Sequence, residues 1–123
     1  MDHKLKIRSK KYLRGAEEQS CVRCGKKDRT IVAAHYTGLR SHIYGKGTGT
    51  KCHDVLSADL CHECHQFFDN PEVSSLYTHR TERIRHYWKI EMSEEFLNCV
   101  ALTLIRRCEQ GIIYTDDMSL GGK

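Results

Sequence analysis

The feature that most constrains this chain is a pair of cysteine knuckles: Cys21 and Cys24 enclose Val22 and Arg23, and Cys61 and Cys64 enclose His62 and Glu63. A tight C-x-x-C turn aims two sulfurs at one point. Two such turns supply the four corners of a tetrahedron, each about 2.3 Å from a zinc ion. Gly25 follows the first knuckle, where the turn needs a residue tolerant of positive φ. A plainer reading makes one pair a redox or merely buried pair, which leaves the second knuckle as a coincidence. Cys52 lacks a partner at knuckle spacing and ranks below these four, and Cys99 and Cys108 project about half a turn apart on a helix.

Seven cysteines and eight histidines in 123 residues pose a choice between disulfides and metal. The odd count and the knuckle spacing favour metal in a reducing compartment. Residues 1–10 are charged throughout and contain no apolar run of the kind a secretory leader needs, so a cytoplasmic location is expected. The apolar stretch Val100–Ile105 is far too short to cross a bilayer, so no membrane partner is expected. With 39% hydrophobic residues, the core of so small a domain is thin, and a structural zinc offsets that deficit.

The net charge of +4 is modest, but its placement is uneven. Lys4, Lys6, Arg8, Lys10, Lys11 and Arg14 face a single acid, Asp2, and a second cluster holds Arg80, Arg83, Arg85, His86 and Lys89. Two basic clusters flanking a cysteine and histidine centre point to a polyanion partner; a solvated arm is the plainer reading of either one alone.

Along the chain, residues 1–20 read as a basic N-terminal arm, partly helical from Tyr12 to Gln19, and residues 21–114 as one domain. A flexible tail follows over 115–123. The β-branched run from Thr30 predicts a short strand ending near His35. The four glycines between Gly38 and Thr50 predict a loop. A second extended piece is expected within Asp54–Leu60, then a helix from Cys61 to Asn70 that stops before Pro71. Another helix is expected over Thr81–Ile90. The last helix has Ser93 as N-cap, Glu94 and Glu95 in its first turn and Gly111 after its end. Its core face is predicted to carry Phe96, Leu97, Val100, Leu104 and Cys108.

The order of these signals is a knuckle, a strand ending in Ala34 and His35, the loop Gly45–Lys51, then Ala58, Asp59, Leu60 and the Cys61–His65 segment. It resembles the zinc-stapled HNH nucleases, most closely the small phage and prophage nucleases of the YbcO-like type, over about residues 21–111. The resemblance implies an α+β fold: a small zinc-stapled ββα-metal core with additional C-terminal helices. It also implies that His35 is the general base activating water and that His65 is a ligand of a catalytic ion. The implied activity is hydrolysis of phosphodiester bonds in DNA, single-stranded or branched forms included, in recombination or DNA processing.

The residues add to this. Neutral imidazole is a competent base at physiological pH. Asp69 lies four residues after His65 and shares its helix face, so the two can hold one ion: the oxygen ligand suits Mg²⁺ or Mn²⁺, and the imidazole leaves Zn²⁺ or Ni²⁺ open. Many HNH proteins have an aspartate ligand where this chain has Ala34, so either Asp54 or Asp69 supplies the missing carboxylate or the protein does not cleave. Arg40, Lys46, Lys51, Arg83 and Arg85 are expected to contact nucleic acid, with the Gly-rich loop around Lys46 cradling phosphate. A buried His35 with one hydrogen bond, a surface His65 and a helix-end Asp69 are the plainer readings. The competing function is a non-catalytic zinc module that binds nucleic acid or a recombination protein, which Ala34 keeps open. Oligomeric state is not encoded in any motif, although cutting two strands favours a homodimer.

Overall fold

The computed structural model of the protein describes residues 6–47, 49–69, 82–114 and 117, with the backbone alone for 82–85. The fold is a small α+β arrangement: α1 (Lys10–Arg14), β1 (Val32–His35), a 3-10 turn (Ser41–Tyr44), β2 (Ser57–Leu60), α2 (His62–Asp69) and α3 (Glu82–Glu109). β1 and β2 form a two-stranded antiparallel sheet in which Val32 faces Leu60, Ala33 faces Asp59, Ala34 faces Ala58 and His35 faces Ser57. β1 therefore ends at His35, as the β-branched run predicts, and Cys61 alone separates β2 from α2.

Every residue of β2 is buried. Ala58 and Leu60 lie in the apolar core with Tyr36, Phe68, Phe96 and Val100. Ser57 and Asp59 are on the alternate positions and are equally buried, so each must be satisfied internally. Ser57 Oγ donates to the Asp54 carbonyl at 2.7 Å. The outer edge of β2 is also closed, because the Asp59 N–H donates to Thr103 Oγ1 at 3.1 Å and the Asp59 carbonyl accepts from Val22 N at 2.9 Å. An edge occupied in this way offers no ladder to another strand.

The Asp59 carboxylate is the polar hub of the fold. Arg107, itself fully buried, grips both of its oxygens, and Arg106 Nη1 donates to Oδ2 at 2.9 Å. Arg107 Nε donates to the Tyr12 carbonyl at 2.7 Å, and Arg106 Nη1 to the Ser20 carbonyl at 2.7 Å. Gln110 Nε2 reaches the Gly15 carbonyl at 2.9 Å. The segment expected as a basic arm is thus built into the domain over residues 6–20, with Tyr12 and Ala16 buried. Gly15 is dictated by this contact: a Cβ there would lie 2.3 Å from Arg107 Nε. Lys4 and the tail, apart from residue 117, lie outside the described residues.

The two helices expected over Thr81–Ile90 and after Ser93 are one helix, α3. No glycine or proline interrupts residues 82–109, and Ile90, Glu91 and Met92 carry the helix through, so the capping signal at Ser93 has no break to cap. The Ser93 hydroxyl instead hydrogen-bonds the Tyr36 hydroxyl and accepts from Leu39 N at 3.2 Å. The buried stripe runs Met92, Phe96, Cys99, Val100, Thr103 and Arg107. It is rotated from the expected face, leaving Leu97, Leu104 and Cys108 only partly covered. Burial of the Asp59 and Arg107 pair sets that rotation, since the guanidinium must point at the strand. The end of α3 matches expectation. Gly111 has φ 76, its N–H bonds the Cys108 carbonyl, and Ile112 N bonds the Arg107 carbonyl, the two hydrogen bonds of a Schellman cap.

The expected loop over Gly38–Thr50 holds more order than its glycines suggest: the 3-10 turn ends at Gly45 with φ 96, and Gly47 bridges Thr50. Among the described residues, no helix is long and apolar enough to cross a membrane.

Breaking the hub should be costly, because a buried charge deprived of its partner retains its full desolvation penalty. Arg107→Met is expected to lower unfolding free energy by about 3–5 kcal/mol in urea titrations. Gly15→Ala should destabilise through the same guanidinium. A loss below about 1 kcal/mol for Arg107→Met would show that the pair does not hold the fold together.

Candidate metal centre and the adjoining histidine cleft

The first knuckle is shaped by its own backbone. Gly25 adopts φ 82, its N–H donates to the Cys21 carbonyl at 2.9 Å, and Cys21 N donates to the Lys26 carbonyl at 2.7 Å. The second knuckle uses the strand-to-helix junction, with Cys61 just past β2 and Cys64 in the first turn of α2, where His65 N bonds the Cys61 carbonyl. The packing of β2 against β1 then brings the knuckles together, and all four sulfurs lie within 4.8 Å of one another.

These sulfurs fit a zinc ion. A tetrahedron with metal–sulfur bonds of about 2.3 Å has edges of about 3.8 Å, and Cys24 Sγ lies 3.7 Å from Cys61 Sγ. Cys21, Cys61 and Cys64 are buried and Cys24 is exposed. Four thiolates around a divalent ion leave a net charge of −2, which needs compensation. Arg23 is the cation that approaches it: Nη1 donates to Cys64 Sγ at 3.5 Å, its guanidinium stacks 4.0 Å from the Phe67 ring, and Nε lies 3.2 Å from Glu95. Burial opposes ionisation of the Cys21 thiol, but the N–H groups of Cys61, Cys24 and Arg23 outweigh it and bring the thiol down to about 7. Burial pushes Cys64 up to about 12. Cys52 is not part of this cluster. It is fully buried and donates to the carbonyls of Tyr36 and Ser41.

At the end of the sheet away from Cys61, His35 closes β1 opposite Ser57. Its Nε2 lies 2.8 Å from Asp54 Oδ1, and both side chains are largely buried. The same carboxylate accepts from Arg8 Nη1 at 3.3 Å and, through Oδ2, from Ser9 N at 2.6 Å. Burial opposes its ionisation, yet hydrogen bonds from His35 and Ser9 and the charge of Arg8 hold its carboxyl below the usual range. An ionised carboxylate only accepts, so Nε2 is the donor of this pair. Asp54 was one candidate for the missing ion ligand. The structure uses both of its oxygens on protein groups: His35 and Arg8 meet Oδ1, and Ser9 N meets Oδ2.

His65 and Asp69 meet across one helical turn, Nε2 to Oδ2 at 3.1 Å, with about a third of each side chain exposed. Thr37 Oγ1 approaches Asp69 Oδ1 at 3.4 Å. A cleft of about 250 Å³ is lined by His35, His65, Asp69, Lys46 and Lys51. Five residues singled out from sequence are therefore gathered in one place. Arg40 is not among them; it lines a separate cleft with His42, Ile43 and Ile90. Arg80 and the side chains of Arg83 and Arg85 lie outside the described residues.

Sequence reasoning overlooked the roles of Arg8 and Ser9, and the one available signal was the basic run itself. It also overlooked the Asp59 and Arg107 pair, although an aspartate inside an apolar strand signals a buried cation. Among the described residues, the four cysteines are the one group of three or more His, Cys, Asp or Glu ligand atoms mutually this close. His35, His65 and Asp69 do not close a three-ligand cage.

The purified protein is expected to contain one zinc per chain by elemental analysis. Serine at any of positions 21, 24, 61 or 64 should abolish both the metal and cooperative unfolding, since metal affinity is folding energy in so small a domain. Cys52→Ser should retain the metal; zinc loss from that variant alone would overturn the ligand set. Comparison with protein-family models, with curated proteins and with solved structures gave no match, so the site rests on its own geometry.

Proposed function

We propose that the protein is a metal-dependent endonuclease of the HNH, or ββα-metal, kind, hydrolysing phosphodiester bonds in DNA. The observation that carries this reading is the His35 and Asp54 pair at 2.8 Å, opening on a cleft that also holds His65, Asp69 and two lysines. A histidine oriented by a carboxylate is the arrangement of a general base, with the carboxylate fixing the tautomer and stabilising the imidazolium that forms. In this reading His35 Nδ1 takes a proton from the attacking water while Asp54 holds Nε2.

One imidazole and one carboxylate at i and i+4 are a donor set suited to Mn²⁺ or Mg²⁺, an ion that keeps several of its waters. Such an ion, bound by His65 and Asp69, would supply charge neutralisation at the phosphate and the leaving oxygen. Lys46 and Lys51 add fixed positive charge on the same side. The zinc cluster holds α2, and hence His65, against the sheet that carries His35.

A second reading is a zinc module that binds nucleic acid or a recombination protein without cutting it. Ala34 favours this alternative, because it is 98% buried beside His35 and brings no carboxylate to the cleft. A single assay separates the two: plasmid and single-stranded DNA incubated with the zinc-loaded protein under EDTA, Mg²⁺, Mn²⁺ and Zn²⁺. His35→Ala should lower cleavage by about 10²- to 10⁴-fold while zinc content and melting temperature stay at wild-type values. His65→Ala should lose activity in a way partly restored by higher Mn²⁺. Wild-type protein that binds DNA yet cuts none of these substrates would put the binding module first.

A further inference from the structure

The N-terminal segment reaches the same histidine from the opposite side. A second cleft, of about 490 Å³, is lined by Arg8, Lys10, Leu13, His35, Lys51 and Asp54. It shares His35 and Lys51 with the first cleft, so the two meet at the histidine.

The wall of this second cleft is built rather than draped. Ser9 N is held by Asp54, Ile7 N donates to His53 Nδ1 at 2.8 Å, and Asp54 N donates to the Ile7 carbonyl at 2.8 Å. The Arg8 guanidinium donates to the carbonyls of Cys52 at 2.7 Å and Lys51 at 3.0 Å. Lys10 follows directly on these anchors, so its backbone position is set by the fold. The charge of Asp54 is almost entirely enclosed and faces Arg8 and His35, whereas Lys10, Lys46 and Lys51 are exposed. The exposed charge across both clefts is therefore a positive line with His35 in its middle. Asp69, paired with His65, is the acid on the far side. A small anion would occupy one cleft; a ligand with regularly repeated negative charge occupies both.

We propose that one nucleic-acid strand lies lengthwise across both clefts. Its central phosphate rests at His35 and Lys51, and its flanking phosphates rest on Lys46 and Lys10, so that residues 7–13 form one wall of the groove. This rests on the reading of His35 as the reacting centre. It differs from a floppy basic arm in naming a fixed lysine and a strand path.

The test uses the full-length, zinc-loaded protein and a fluorescein-labelled single-stranded DNA dodecamer, without added Mg²⁺ or Mn²⁺. Binding is followed by anisotropy across a potassium chloride series for wild type, Lys10→Ala, Lys46→Ala and Lys27→Ala, the last an exposed lysine beside the first knuckle. The slope of log affinity against log salt should fall by about 0.7 to 1 for Lys10→Ala and again for Lys46→Ala, and should not change for Lys27→Ala. Melting temperature and zinc content of all three should match wild type. With a dinucleotide, too short to span both clefts, the two lysine variants should not both show the loss.

An unchanged slope for Lys10→Ala beside a lowered one for Lys46→Ala confines the strand to one cleft and overturns the proposal. Equal slopes for Lys10→Ala, Lys46→Ala and Lys27→Ala, or no binding by wild type, overturn it as well. The nuclease reading fails separately. Lowered slopes at both positions without cleavage under any divalent ion keep the groove and remove the enzyme, and cleavage with no effect of Lys10→Ala does the reverse.

Discussion

The buried ion pair between Asp59 and Arg107 is the interaction on which the rest of the arrangement depends. A two-stranded sheet has little capacity to stand alone, and here one face of β2 is kept in place by a charge that has no exit to solvent. The pair orients α3 on the sheet, and the same guanidinium holds the Tyr12 carbonyl. A helix face, a strand and the N-terminal segment thus share one polar contact. Isosteric apolar residues could pack there with equal or greater stability. What the ion pair adds is selectivity of register: rotating Arg107 off the strand would cost the buried carboxylate the guanidinium that grips both of its oxygens.

Two centres follow from that placement. On one flank of β2, Cys61 continues straight from the strand into the sulfur cluster. On the other, the β1 register sets His35 opposite Ser57, whose hydroxyl ties down the Asp54 carbonyl. The cysteine cluster and the His35–Asp54 pair are therefore held at opposite ends of one short sheet. The N-terminal segment closes the second centre by supplying Ser9 N and Arg8 to the Asp54 carboxylate.

Features carried by local spacing were legible in the sequence. Both knuckles, the positive φ of Gly25, the strand ending at His35, the helix after Cys61 and the Gly111 cap depend on residues close in the chain. The break at Ser93 was misread because a capping residue is only a local preference, and an uninterrupted helix with a buried face overrides it. The core face of α3 was misplaced for a related reason, since hydrophobicity alone could not reveal that an arginine belongs inside. The ties of Asp54 to Arg8 and Ser9 were not legible, because these partners are more than forty residues away along the chain. Nothing in the composition of a basic arm distinguishes one that is solvated from one that is stitched to the domain.

The contact between Arg107 and the Tyr12 carbonyl joins residues 95 positions apart, and this bears on how the chain leaves the ribosome. Both knuckles and the whole sheet emerge before the C-terminal part of α3, so the sulfur cluster can gather while Asp59 has no cation to face. The strand carrying it cannot be dehydrated until residue 107 is free of the exit tunnel. Completion of the domain is thus a late event that waits on the end of α3, and metal capture during translation would hold an open intermediate in which the N-terminal segment has yet to find its seat.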